Sequence, residues 1–242
     1  MRKLNKTFAI IIVLVAFSAT VFAQDLLSGE APKKNEAKLD LGLDLMSSYI
    51  WRGSSFGTGP AIQPSIELTT EGLALGVWGN ICAGSDQAFE LDPYVSYTFP
   101  FGLKLAVTDY YFGGNFLGNN FEDLSKAHSL EPAITYQYER LKLFAAIMLL
   151  GKDAEGERQQ DFYGEVSYAF KQVYVGIGGG DGQYLRSPKY GTEPDGIVAL
   201  CNIFVGAERE IKITEHFSLP IKGSVSLNPY TERLYASVGI SL

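Results

Sequence analysis

From Leu39 onward the sequence alternates apolar and polar residues at period two, the spacing of a strand with two unlike faces. The alternation recurs in twelve runs: 38–51, 61–70, 72–82, 89–99, 102–112, 128–139, 141–150, 161–170, 172–179, 197–213, 217–227 and 233–242. In the fourth, Phe89, Leu91, Val95, Tyr97 and Phe99 oppose Glu90, Asp92, Ser96 and Thr98. Tight turns near 71, 100, 140, 171 and 215 alternate with longer loops at 53–60, 83–88, 113–127, 151–160, 180–196 and 228–232. In consecutive antiparallel hairpins every second connection lies at the same end. One end of the sheet therefore carries tight turns and the other carries loops. The expected fold is all-β: a transmembrane antiparallel up-and-down β-barrel of about twelve strands.

The physical reason is closure. In lipid every backbone N–H and C=O must find a partner within the protein, so a sheet can span only by joining its own edges. Apolar side chains then meet lipid and polar ones face the lumen, whereas a water-soluble barrel reverses the two faces. Alternation by itself does not tell these apart. Three features favour lipid. Tyr97, Phe99, Phe101, Tyr136, Tyr138, Tyr168 and Phe170 crowd the strand ends beside the tight turns, where an aromatic girdle sits. The last ten residues alternate up to Leu242, like an outer-membrane assembly signal. Twelve strands also exceed what small soluble barrels use.

The first 23 residues have a basic start, an apolar run from Phe8 to Phe17 and small residues at Val21 and Ala23. They are expected to be a cleaved secretory signal. Residues 24–37 read as a flexible periplasmic leader and 38–242 as the barrel. Without the three basic residues of the signal, 17 Lys and Arg face 27 Asp and Glu, a formal charge of −10 that argues against nucleic acid as a partner. The expected surroundings are outer-membrane lipid and lipopolysaccharide of a Gram-negative cell, with small solutes inside the barrel. No cofactor or metal is implied, and the oligomeric state is left open. Cys82 and Cys201 fall on non-neighbouring strands with opposite facing, so two small apolar residues are expected rather than a disulfide.

The first hairpin, Ser47-Ser48-Tyr49-Ile50-Trp51-Arg52-Gly53-Ser54-Ser55 followed by Pro60-Ala61-Ile62-Gln63-Pro64, resembles the opening of the TorF-type porin family. Gly76-Val77-Trp78-Gly79-Asn80 and Asp92-Pro93-Tyr94 extend the likeness, so the specific motifs cover residues 46–97. The resemblance implies a Gram-negative outer-membrane barrel of about this size. It brings no defined substrate and no catalytic residues.

For a channel the relevant residues face the lumen. By parity these are Asp40, Asp44, Arg52, Glu67, Glu90, Asp92, Lys104, Glu131, Lys142, Glu165, Glu208 and Lys222, eight acidic and four basic. An acidic lining concentrates cations. The expected function is passive diffusion of small solutes with a weak cation preference. The alternative interior is narrow and filled by its own paired charges. Arg52 is expected near the outer rim, at the end of the first strand. It either pairs with a lumen carboxylate and fixes a constriction, or is solvated or bound to lipid head groups. Loop 113–127, with Asn115, Asn119 and Asn120, is expected at the surface, an inward sugar-like site being the other option. The Gly178–Gly182 run ends in no Lys-Ser/Thr and opens no helix, so it is no phosphate loop.

An enzyme is not expected. His216 lies in a tight turn. His128 has Asp123, Ser125 and Ser129 near it in sequence, yet neighbours on a strand point to opposite faces, so His128 and Ser129 cannot meet. A lipid-active hydrolase and a non-conducting structural or adhesive barrel are the alternative functions.

Overall fold

The computed structural model describes residues 37–57, 59–83, 89–113, 128–149, 160–185 and 197–242. The expected signal, nearly all of the leader and most of loops 83–88, 113–127, 151–160 and 180–196 lie outside these residues. The described chain forms fourteen strands: β1 (Lys38–Met46), β2 (Tyr49–Trp51), β3 (Ser54–Phe56), β4 (Ala61–Thr70), β5 (Leu73–Cys82), β6 (Phe89–Thr98), β7 (Leu103–Gly113), β8 (His128–Tyr138), β9 (Leu141–Ile147), β10 (Phe162–Phe170), β11 (Val173–Gly180), β12 (Ala199–Lys212), β13 (Ser218–Asn228) and β14 (Arg233–Ser241).

Twelve of them close into one antiparallel barrel in the order β1-β14-β13-β12-β11-β10-β9-β8-β7-β6-β5-β4. Each neighbours the next in sequence, as the alternating turns require. The seam pairs Asp44 with Ser241, Leu45 with Ile240 and Met46 with Gly239. It is locked at its end by reciprocal backbone bonds between Leu43 and Leu242 of 3.0 and 2.9 Å. No edge of the sheet remains along this stretch, which is what a span through lipid demands.

The wall is apolar outside. Leu41, Ile62, Leu75, Ile134, Val166 and Ile177 are all exposed, while the residues between them on each strand are shielded. The buried class inside is mostly polar or charged, including Gln63, Asn80, Glu90, Asp92, Glu131 and Asn202. This is the reverse of a water-soluble barrel, in which the apolar face would be hidden. Strands such as β4, ten residues long, match the 9–11 residues that a tilted strand needs to cross a bilayer. An aromatic belt forms at the tight-turn end, where Tyr97 meets Phe99 at 4.8 Å, Phe99 meets Phe101 at 5.4 Å and Tyr168 meets Phe170 at 4.7 Å between ring centroids.

The first expected run, 38–51, is not one strand. β1 stops at Met46 and the chain leaves the wall. Ser47 and Ser48 make this possible by taking over the ladder to β14. Ser47 N donates to the Val238 carbonyl at 2.8 Å, and Val238 N donates to Ser47 Oγ at 3.0 Å. Ser48 Oγ donates to the Ala236 carbonyl at 3.0 Å, and Ser237 Oγ donates to the Ser48 carbonyl at 2.7 Å. The backbone of β14 stays satisfied while residues 49–56 fold separately as the two-stranded β2–β3 hairpin.

The cysteines are both free and buried. Their facing differs from expectation: a register shift between Gly178 and Gly179 of β11 leaves Cys201 of β12 without a regular opposite residue on β11. Cys201 therefore packs inward with Tyr163, Tyr184 and Leu185, and Cys82 packs inward with Tyr49 and Ala61.

Candidate functional site

The β2–β3 hairpin crosses the lumen at the loop end. It starts from β1, and its tip reaches β8, β9, β10 and β12, on the far side of the ring. The expectation of an external loop at 53–60 is thus corrected: residues up to Phe56 belong to an internal hairpin. The pairing of Trp51 with Ser54 leaves a two-residue turn of Arg52 and Gly53. Both have positive φ, +49° and +81°. That is the tight hairpin turn which matches strand twist and usually takes Asn-Gly. An arginine here is held in the sparsely populated left-handed region, a cost sustained only when its surroundings over-determine it.

Those surroundings are dense. Arg52 Nη1 donates to Glu131 Oε2 at 2.6 Å and Nη2 to Glu131 Oε1 at 2.7 Å, a bidentate fork. Nη1 also donates to Tyr184 Oη at 2.7 Å, and Tyr110 Oη donates to Glu131 Oε1 at 3.1 Å. The guanidinium carbon lies 4.4 Å from the Trp51 ring centroid, 4.8 Å from Tyr163, 5.0 Å from Phe144 and 5.6 Å from Tyr184. The side chains of Arg52 and Glu131 are 9% and 2% exposed, so this pair is deep inside and shielded from screening. Arg52 is therefore not a solvated rim residue.

Gly53 packs backbone to backbone on the opposite wall. A Cβ built there would stand 1.9 Å from the Cys201 carbonyl oxygen, and Asn228 Nδ2 donates to the Gly53 carbonyl at 3.1 Å. Gly53→Ala is expected to push the tip off β12. A water-soluble maleimide should then label Cys201 in the folded variant, while the wild-type thiol stays protected. Equal protection in both proteins would contradict the tip contact.

Behind the tip, the Tyr49 ring packs at a tilt against Phe56 and Trp78, each at 5.4 Å between centroids, and its hydroxyl donates to Glu90 Oε1 at 3.4 Å. Glu90 and Asp92 lie two residues apart on β6 and face inward beneath this cover, 4% and 5% exposed. Asp92 Oδ1 has no hydrogen-bond partner among the described residues.

The remaining parity candidates lie below, toward the tight turns. Lys222 forms an ion pair and hydrogen bond with Asp44, and Ser241 Oγ donates to the other Asp44 oxygen at 2.7 Å. Lys142 stands 3.8 Å from Glu165 and is 45% exposed. Asp40 meets Lys38 at 2.6 Å, and Tyr94 Oη donates to Glu67 at 2.6 Å. Lys104 is half-buried and Glu208, opposite Lys222 in register, is exposed.

Residues that reading by parity overlooked are Tyr110, Phe144, Tyr163 and Tyr184. The first three carried a signal. They share the inward parity of Thr108, Lys142 and Glu165, and bulky rings on an inner face need something to pack against. Tyr184 comes from the expected external loop 180–196, of which Gly182–Leu185 instead forms a 3-10 turn that buries Tyr184 and Leu185. Loop 113–127 lies outside the described residues.

His128 faces the outer wall. Its Nδ1 lies 2.9 and 3.0 Å from the two Asp109 oxygens, and its ring is 4.9 Å from Tyr111. Ser129 pairs with the inward Tyr110 and so points to the other face.

The model of a family described as "Bacterial protein of unknown function (Gcw_chp)" matches residues 30–190. No curated protein matches. Among solved structures, Salmonella typhi OmpF in complex with daunomycin aligns over 86% of this chain and 97% of its own. Its identity is 9% and its TM-score 0.31.

Proposed function

Because the chain belongs to the Gcw_chp family of bacterial proteins of unknown function, no activity comes with the family, and we propose one from the barrel: an outer-membrane, porin-like channel for passive passage of small solutes, closed at its loop end by its own β2–β3 hairpin. The reversal of faces carries the reading. A closed wall with Leu41, Ile62, Val166 and Ile177 outside and buried carboxylates inside fits lipid around it and water or polar groups within it. Outer-membrane lipid and lipopolysaccharide then contact the outer face. The TorF-type resemblance implies the same.

The open and the filled interior divide by height. At the loop end the hairpin fills the lumen. Toward the tight turns Lys142 and Glu208 are solvent-exposed. Withdrawal of the hairpin removes Arg52 from the mouth and uncovers Glu90, Asp92 and Glu131, three carboxylates of the inner wall. Carboxylates facing a lumen raise local cation concentration.

The test is a planar bilayer with a salt gradient across it. Purified, refolded protein is expected to give stepwise openings whose reversal potential favours cations. A reversal potential favouring anions would defeat the selectivity claim. A folded, heat-modifiable barrel without openings would favour the structural or adhesive alternative.

A further inference from the structure

The geometry points to an organic-cation binding site at the mouth of the barrel, built by the rings of Phe144, Tyr163 and Tyr184 and the carboxylate of Glu131, and occupied in this state by the chain's own Arg52. The inference rests on the channel reading and names the class of solute it favours: small molecules carrying a guanidinium or alkylammonium group.

Three observations converge on these walls. First, they come from the barrel and not from the hairpin: Glu131 from β8, Phe144 from β9, Tyr163 from β10 and Tyr184 from the 3-10 turn. The pocket belongs to the wall, and Arg52 is brought to it from across the lumen. Second, the pocket contains what recognises such a cation. Three ring faces lie 4.8, 5.0 and 5.6 Å from the guanidinium carbon, and a carboxylate accepts both ends of the planar fork. Third, the pocket is held in shape without Arg52. Asn202 Nδ2 donates to Tyr163 Oη at 3.0 Å, Ser226 Oγ donates to Asn202 Oδ1 at 2.7 Å, and Tyr110 Oη donates to Glu131. Tyr163 also packs at 5.1 Å against Tyr184 and at 6.2 Å against Phe144.

Arg52 sits in this pocket as a tethered ligand would, at the tip of a two-residue turn whose backbone is itself in an unfavourable region. A free cation of the same head group competes for the same walls. Binding it and releasing the hairpin are then one event, because a ligand shifts a two-state equilibrium by its differential affinity for the two states. Neutral solutes of the same shape lack the charge that Glu131 and the rings select.

The experiment uses Arg52→Ala in the full barrel, refolded in detergent and titrated with methylguanidinium at constant ionic strength. Fluorescence of Trp51, which borders the vacated space, reports binding, and methylurea is the uncharged control of equal shape. A saturable response is expected, with methylurea weaker by about tenfold or more, the loss expected for hydrogen bonds to a charged partner. The preference should vanish in Arg52→Ala/Glu131→Gln, and wild type should respond only at higher methylguanidinium concentration, where the free cation displaces Arg52. If Arg52→Ala does not fold unaided, methylguanidinium in the refolding buffer should restore a heat-modifiable band. Failure to restore it would overturn the site, as would equal responses to methylguanidinium and methylurea. Bilayer currents separate the two readings. Binding without any current keeps the site and removes the channel. Current that methylguanidinium neither blocks nor alters, with no fluorescence response, keeps the channel and removes the site.

Discussion

Arg52→Ala is expected to lower the stability of the barrel by about 3–5 kcal/mol and to open its loop end, because removing one partner of a buried ion pair leaves the other charged and uncompensated. Glu131, 2% exposed, would keep only the hydroxyls of Tyr110 and Tyr184 among the described residues. The hairpin would also lose its main hold on the far wall. The readouts are the temperature at which the folded band is lost on a gel and the mean current in a bilayer. The double variant Arg52→Ala/Glu131→Gln removes both charges and is expected to regain part of the stability while remaining open. That difference isolates the pair from the rest of the hairpin packing. Equal stability of the single and double variants would show that the two charges are not coupled.

Val166→Lys is expected to cost about 2–4 kcal/mol in a lipid bilayer, the range for a basic residue at mid-depth on a barrel's lipid face. Val166 is 45% exposed at the middle of β10, and its register partners Leu143 and Ile177 are exposed beside it. Burial alone predicts little effect, since an exposed lysine is harmless in water. A large cost in lipid therefore assigns the outer face to the membrane. A neutral substitution in the bilayer would contradict that assignment.

The wall was legible in the sequence because each strand satisfies one simple demand, apolar out and polar in, and because Gly, Pro and charged residues mark the turns. Runs such as 61–70, 141–150 and 233–242 meet the observed β4, β9 and β14 within a few residues. The same rule hid the hairpin. Tyr49, Ile50 and Trp51 continue the alternation of β1, so nothing in the period announces that the chain has left the sheet. The sign lay in two details: the Ser47-Ser48 pair, whose hydroxyls can replace ladder bonds, and Arg52-Gly53, a two-residue turn where a long loop was expected. The facing of Cys201 was lost to the bulge opposite Gly178 and Gly179, whose one extra residue reverses the parity of the strand's start relative to its remainder. Tyr184 was missed because its position follows from a 3-10 turn in a loop, and no strand period applies there.

Strand alternation places inward-facing charges in one compartment without fixing which of them pair. Arg52 and Glu131 are 79 residues apart, and their meeting depends on the hairpin crossing the ring. Lys222 and Asp44 meet across the seam strand β14, which only closure of the barrel brings between them.

The most direct measurement is the single-channel conductance of the barrel with residues 49–56 replaced by a short Gly/Ser linker, compared with wild type in the same bilayer and salt. The linker variant is predicted to conduct severalfold more than wild type, with the cation preference retained, since the carboxylates of Glu90, Asp92 and Glu131 stay on the wall. Identical conductance in the two proteins, with both folded and heat-modifiable, would contradict closure of the barrel by its own hairpin.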